Sequence, residues 1–345
     1  MIELLIFSIS LLGSYVGVAL FRILSAKRGM LDIPNDRSLH ETPTPRGGGL
    51  VIVLVSLFLY YFISAYVTHQ ISWGYLIGAL IVAGISLVDD LYSISSFVRF
   101  GIHTAAAFLV IGDLGYLNSL YIPGAGITLQ IGAIGIALSF FWIVWMINAY
   151  NFMDGIDGIA GLQAVLAGTG WLIFAYIFGY DSIYLFAGVL LFASLGFLIH
   201  NWHPAKVFMG DVGSAFLGFT FAVLPMLAIG EKPENDAVFP VVAVSLLWFF
   251  IFDTVLTFFL RLLKGERVWT AHRGHLYQRL VLSGKSHGLV AALYGLLAAI
   301  LAAAAIGFAA FRGSFEYLLL SSIIILTAAL FLAVFGKNIL TGRSK

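Results

Sequence analysis

The 345-residue chain contains no cysteine, so disulfides and thiolate metal sites are excluded outright. Charge is scarce as well: Asp, Glu, Lys and Arg make up 10% of the residues, against about 25% in a soluble domain. No soluble domain, low-complexity tract or internal repeat stands out along the sequence. The N-terminus does not read as a cleavable signal, because Glu3 stands where such a signal is basic and no small-residue cleavage site follows the first apolar run. What the chain has in quantity is hydrophobicity, 61% of its residues with a mean hydropathy of +1.01. These features describe an all-α polytopic membrane protein, with residues 1–345 as a single integral-membrane domain.

A membrane span takes about 20 apolar residues. On that ruler the sequence predicts about eleven transmembrane helices, near residues 2–22, 47–67, 73–88, 100–117, 131–147, 158–178, 183–200, 213–230, 238–260, 288–310 and 316–335. If the spans alternate, all 18 Lys and Arg residues except Lys232 and Arg312 share one side with the C-terminus. Positive charge marks the cytoplasmic side, so the N-terminus is expected outside and the C-terminus in the cytoplasm. The loops on the cytoplasmic side carry nearly all the unusual residues, and function is expected there.

The sequence is organised around Asn148-Ala149-Tyr150-Asn151-Phe152-Met153-Asp154-Gly155-Ile156-Asp157-Gly158, at the end of one apolar run. Asn148, Asn151, Asp154 and Asp157 recur every three residues, and on a helix consecutive members share a face. Such a face offers the carboxylate and amide oxygens that ligate a hard cation such as Mg²⁺. Asp89-Asp90 ends the third run, where two acids repel each other and oppose the helix dipole, so a compensating cation is expected. Phe208-Met209-Gly210-Asp211-Val212-Gly213-Ser214 suggests a helix N-terminus with amides open to phosphate, with Asp211 as a ligand or as the cap. Lys206 nearby is a phosphate contact or an ordinary inside charge.

Arg37 and Arg46, in the first cytoplasmic loop, could meet a phosphate, and Gly47-Gly48-Gly49 lets backbone approach a ligand or another helix. Asp253, inside the ninth run, is either functional or paired with Arg99, His103 or a polar group of another helix. The largest inside loop holds Arg267, His272, Arg273, His275 and Arg279; two histidines without cysteine fall short of the four ligands of a structural zinc site. Acids for Mg²⁺ and basic groups for phosphate oxygens are together the parts of a phosphoryl-transfer site. A secondary transporter using membrane carboxylates is the rival class, although its site would lie near the bilayer midplane.

Several motifs in order carry a family resemblance: Arg-Ser-x-His-x-x-Pro-Thr-Pro-Arg-Gly-Gly-Gly at 37–49, Asp89-Asp90, Asn-Phe-Met-Asp-Gly-Ile-Asp-Gly at 151–158, Phe-Met-Gly-Asp-Val-Gly-Ser at 208–214, and the histidine loop. From Asp32 to about Leu280 the chain resembles the polyprenyl-phosphate N-acetylhexosamine-1-phosphate transferases. The resemblance implies a UDP-N-acetylhexosamine donor, undecaprenyl phosphate as acceptor, Mg²⁺ with Mn²⁺ able to substitute, and a bacterial cytoplasmic (inner) membrane location. It implies no nucleic-acid partner and allows a homodimer. Asp211 resembles the principal metal-binding aspartate, and Asn151, Asp154 and Asp157 the nucleotide and metal segment. Asp89 and Asp90 match the paired aspartates that handle the lipid phosphate or the metal. His272, Arg273 and His275, with Arg267, fall where the family's basic loop meets the donor, and Arg46, Asn148, Lys206 and Asp253 complete the expected substrate contacts. His272-Arg273-Gly274-His275 replaces the three successive histidines of the peptidoglycan branch and looks like the O-antigen initiating branch, which typically has serine at the position of Gly274. Some members of that branch use 6-deoxy amino sugars.

Overall fold

A computed structural model describes residues 1–27, 31–34, 42–232, 237–267 and 272–341. Within them, the apolar runs become helices: α1 (Ile2–Lys27), α2 (Gly49–Phe62, continued by a π turn over Ile63–Val67), α3 (Trp73–Tyr92), α4 (Ser96–Leu114), α5 (Ile134–Phe152), α6 (Ile159–Phe178), α7 (Asp181–Asn201) and α8 (Asp211–Glu231). The rest are α9 (Phe239–Leu246), α10 (Trp248–Leu263), α11 (Leu276–Leu282), α12 (His287–Phe311) and α13 (Ser314–Thr341). Ten described helices are long and apolar enough to cross a membrane, and the pair α9–α10, bent by 74° at Leu247, makes an eleventh if it is one span. Counted as one span, that bent pair brings the total to the expected eleven, with the ninth broken rather than straight.

Helix starts follow their sequence signals. The Ser72 hydroxyl accepts the Tyr75 N–H at the head of α3, and the Ser286 hydroxyl accepts the Leu289 N–H at the head of α12. α8 is the most enclosed span, packed against α2, α3, α5 and α9. Small residues bring helices together where hydrocarbon gives no driving force. A methyl on Gly218 would lie 2.5 Å from the Met146 carbonyl, so α8 and α5 meet backbone to backbone. Likewise Ser10 and Ser14 of α1 donate to the Val189 and Ala193 carbonyls of α7.

The all-α expectation holds, with only two short antiparallel strand pairs beside the helices among the described residues. β1 (Leu31–Asp32) pairs with β2 (Thr44–Pro45), and β3 (Ser119–Ile122) pairs with β4 (Ile127–Gln130) in the register Ser119↔Gln130. Residues 35–41, which include Arg37, lie outside the described residues.

Candidate active site

The ends of α3 and α5, the starts of α4 and α8, and the turn after β2 converge at one end of the bundle. Asp89 and Asp90 occupy the last turn of α3. The expected cations are Arg99 and Arg46. Arg99 Nη1 lies 2.5 Å from Asp89 Oδ2 and 3.3 Å from Asp211 Oδ2. Arg46 bridges in the same way, with Nε 2.9 Å from Asp90 Oδ1 and Nη2 2.6 Å from Asp211 Oδ1. Three carboxylates and two guanidiniums thus form one chain, Asp89–Arg99–Asp211–Arg46–Asp90. Burial pulls the Arg46 pKa down, but Asp211, Asp90 and Asp32 outweigh it and hold the guanidinium firmly charged.

Asp211 opens α8, but it is not the cap. Asp90 accepts the backbone N–H groups of Asp211 and Val212, each at 3.0 Å, and the N–H groups of Gly213 and Ser214 turn back to Gly210. The expectation of amides open to phosphate is therefore corrected, because Asp90 and the local turn already occupy them. The glycine run does what was expected of it, with another segment of backbone as its neighbour. Gly48 and Gly49 donate to the Phe208 and Met209 carbonyls at 2.9 Å, and a methyl on Gly49 would sit 2.5 Å from Gly213 Cα.

The three-residue recurrence of polar groups does not lie on one continuous helix. α5 carries Asn148 and Asn151 but stops at Phe152; Asp154 and Asp157 stand in the turn before α6. Gly158, at φ +78°, is the residue from which α6 starts, and its N–H is held by Asn201 Oδ1 at 3.0 Å. The Asn148 amide donates within α5, to Val144 O, and the Asn151 amide donates to Ser214 Oγ at 3.0 Å; among the described residues, none donates to either Asn carbonyl oxygen.

Asp154 is half-buried, and no described residue donates a hydrogen bond to its carboxylate. Burial, then Asp211, push its pKa well above the usual carboxylate range. Asp157 behaves in the opposite sense. Burial raises its pKa, but His287, His203 and the Ala205 N–H outweigh it and hold the carboxyl below its ordinary value. Its Oδ2 is 2.7 Å from His203 Nδ1 and 3.1 Å from the Ala205 N.

Asp253 is fully buried behind the histidine loop, not facing a ligand. Its oxygens accept from Leu276 N at 2.9 Å, Tyr277 N at 3.2 Å and Tyr294 Oη at 2.7 Å, with His275 Nδ1 at 3.0 Å. The expected substrate contact is thereby corrected: Asp253 has no free face, and it anchors α11 and orients His275. Tyr277 continues the link, donating to Phe152 O at 3.0 Å, so the loop is fastened to the end of α5. The His272 and His275 rings stack at 4.8 Å. Burial, His275 and Arg261 lower the His272 pKa to about 4, which keeps its ring neutral and able to accept the Gly274 N–H. Beside it a cleft of about 200 Å³ is lined by Arg261, Lys264, Glu266, His272 and Arg279. Arg267 and Arg273 flank residues 268–271, which lie outside the described residues, and Lys206 is exposed on the surface.

Sequence reasoning missed Arg99 as a site residue, counting it as inside charge and as one candidate partner of Asp253; it pairs instead with Asp89 and Asp211. A lone cation ten residues after Asp89 in an apolar helix was the available signal. His203 and His287 were also missed, because nothing local ties them to Asp157.

An all-oxygen donor set, with the Asp154 carboxylate and the Asn151 carbonyl lacking donors beside Asp211, suits a hard divalent cation. Fold and site together define a polytopic membrane protein with a carboxylate–arginine centre at one end of its bundle. The sequence profile of Glycosyl transferase family 4 matches residues 72–229. The chain is 28% identical over 281 residues to the probable undecaprenyl-phosphate N-acetylglucosaminyl 1-phosphate transferase of Bacillus subtilis, covering 81% of this chain and 78% of that one. It is 30% identical over 301 residues to the decaprenyl-phosphate N-acetylglucosaminephosphotransferase of Mycobacterium tuberculosis, covering 79% and 74%. It is 29% identical over 311 residues to the undecaprenyl-phosphate alpha-N-acetylglucosaminyl 1-phosphate transferase of Escherichia coli K12, covering 87% and 83%. The chain belongs to glycosyl transferase family 4, among the polyprenyl-phosphate N-acetylhexosamine-1-phosphate transferases.

Proposed function

We propose that the protein transfers an N-acetylhexosamine 1-phosphate from a UDP-sugar to undecaprenyl phosphate at the cytoplasmic face of the bacterial inner membrane, and so initiates a surface glycan of the O-antigen type. N-acetylglucosamine is the first donor to test, because the relatives' names carry it; the histidine loop keeps 6-deoxy amino sugars in the panel. The observation that supports this reading most is the pairing of an unshared carboxylate, Asp154, with a centre whose arginines are already held in place by acids.

In the proposed reaction a lipid phosphate oxygen attacks the β-phosphorus of the donor. The bond from that phosphorus to the oxygen bridging the two phosphates breaks, and UMP leaves with the electron pair. The lipid phosphate is anionic near neutral pH, so it needs positioning more than a strong base. Asp211, Asp154 and the Asn151 carbonyl would hold Mg²⁺, whose contribution is to neutralise diphosphate charge. Arg46 and Arg99 keep Asp211 in place and offer N–H donors at the rim of the centre. His272 and the basic cleft beside it are where the donor's phosphates or sugar would rest. The transporter alternative needs a carboxylate open within the membrane, and Asp253, the deepest in sequence, is fully engaged by its own loop.

The test is transfer by purified protein in detergent, with undecaprenyl phosphate, a panel of UDP-N-acetylhexosamines, and Mg²⁺ or EDTA. Release of UMP together with lipid-linked sugar, dependent on Mg²⁺, is expected with one donor. Folded protein that stays silent across the panel, yet moves sugar across sealed vesicles, would reverse the reading in favour of transport.

A further inference from the structure

Asp157, His203 and His287 come from the α5–α6 turn, the loop after α7 and the first residue of α12. Their ligand-type atoms all lie within 4.8 Å of one another. His203 Nδ1 is 2.7 Å from Asp157 Oδ2, and His287 Nδ1 is 3.4 Å from Asp157 Oδ1. Asp157 and His287 are 7% and 8% exposed. We propose that these three side chains bind one divalent transition-metal ion of the zinc class, at a site separate from the carboxylate–arginine centre.

Charge balance is the first argument. A buried carboxylate needs a compensating cation, and among the described residues no Lys or Arg forms an ion pair with Asp157. Its only partners of opposite potential charge are the two imidazoles. One protonated imidazole would balance the carboxylate but leave the second ring, whose centroid is 5.4 Å from the first, without a role there. One metal dication answers the carboxylate and takes a lone pair from each neutral ring.

The second argument is an unused atom. His287 Nδ1 is buried and has no hydrogen-bond partner, although it points at Asp157. A buried ring nitrogen without a partner costs free energy, and a metal bond would satisfy it.

Geometry and donor type agree. Tetrahedral zinc with bonds near 2.0–2.1 Å sets its ligand atoms about 3.3 Å apart. The His287–Asp157 pair already has that span. The His203 contact is to the other carboxylate oxygen, Oδ2, so its ring, on a side chain that is 39% exposed, would swing toward Oδ1 to share one ion with His287. Its open edge also provides an entry path and leaves a fourth position for water. The Ala205 N–H holds Asp157 Oδ2 from behind, as an outer hydrogen bond orients a ligating carboxylate. Two imidazoles and one carboxylate suit Zn²⁺ or Co²⁺, whereas Mg²⁺ prefers oxygen alone. Such an ion would tie the turn that carries Asp154 to α12 and to the loop after α7.

Co²⁺ is the probe. The full chain in detergent, with any purification tag removed, is stripped with EDTA and titrated while its visible spectrum is followed. The expected result is about one equivalent bound with the intense bands of a four-coordinate site, retained against excess Mg²⁺ and in Asp211→Asn. His203→Gln and His287→Gln keep polarity and bulk, and each should lose the signal while melting within a few degrees of the parent. His203 is the safer of the two for folding, because its side chain is partly exposed. Folded parent protein that binds no Co²⁺, Co²⁺ displaced by Mg²⁺ or absent from Asp211→Asn, or binding that survives both histidine substitutions would each overturn the proposal. No turnover is measured, so failure here is distinct from failure of the transferase reading.

Discussion

Asp90, in the last turn of α3, caps the helix that begins at Asp211. Each Asp90 oxygen accepts one backbone N–H of α8 at 3.0 Å. A carboxylate opposes the dipole at the end of its own helix but favours the one at the start of α8. The arrangement turns an awkward acid into the joint between two spans. Asp90→Ala leaves two N–H groups and one face of Arg46 without a partner. It should cost about 0.5–2 kcal/mol, read as a lower melting temperature in detergent. Asp90→Asn keeps one acceptor and should cost less; an Ala variant that melts like the parent would refute the capping role.

Asp211→Asn tests the centre rather than the fold. The amide oxygen can still accept from one of the two arginines, the closer being Arg46, while Arg99 keeps Asp89, so the protein should melt only a few degrees below the parent. Turnover should fall by about 10²-fold or more, the scale seen when one preorganised electrostatic group is removed. Arg99→Gln should also lower turnover, because it frees Asp89 and Asp211 together. Near-normal sugar-phosphate transfer by folded Asp211→Asn would remove Asp211 from the metal site.

Gly155 allows the histidine loop to dock on the Asp154 turn. A methyl there would lie 2.1 Å from Tyr277 Oη, and the Tyr277 ring is fully buried. Gly155→Ala must push Tyr277 off the Phe152 carbonyl. It should cost about 1–3 kcal/mol as overpacking does. Activity should fall more than a surface substitution would explain, because Asp154 moves with the turn. Replacing Tyr277 with Phe in the same background should relieve part of the loss, and a Gly155→Ala protein with parental melting and rate would contradict the contact.

The helices were legible because a span of about 20 apolar residues has few other uses. The acid pair at Asp89-Asp90 announced a missing cation, and the glycines at 47–49 announced a close backbone. Arg99, ten residues on, was a signal within reach, but Arg46 lies far from Asp90 in sequence and Gly213 far from Gly49, so those approaches could not be read. The recurrence from Asn148 to Asp157 misled for a physical reason. Period alone does not show where a helix ends: α5 stops at Phe152, and α6 restarts at Gly158, whose N–H Asn201 holds from the end of α7. Asp253 was read as either a substrate contact or a carboxylate paired across helices, and its partners are the amides of Leu276 and Tyr277, His275 and the Tyr294 hydroxyl.

The histidine loop gives a stability test. Asp253→Ala leaves buried donors at Leu276 N, Tyr277 N and Tyr294 Oη without an acceptor. Unpaired buried donors cost about 1–3 kcal/mol each, so the loss should reach about 3 kcal/mol or more. Proteolysis between residues 262 and 285 should accelerate before global unfolding does, because α11 loses its anchor first. Asp253→Asn should be milder yet still destabilising, since its NH₂ meets donors on one side. Unchanged proteolysis in Asp253→Ala would show that the loop is held by other contacts.

His272 makes the fold sensitive to acid. Its pKa falls from 6.5 to about 4, through burial first and then His275 and Arg261. Between those two values the unfolded chain takes up a proton at this residue and the folded chain does not. Stability is therefore insensitive to His272 above about pH 6.5 and declines as the pH drops toward 4. Protonation would also end the acceptance of the Gly274 N–H by His272 Nδ1. Melting temperatures should fall less between pH 6.5 and 4.5 in His272→Gln than in the parent, because every other titrating group is shared. Parallel curves would mean that the ring is solvated and titrates normally in the folded loop.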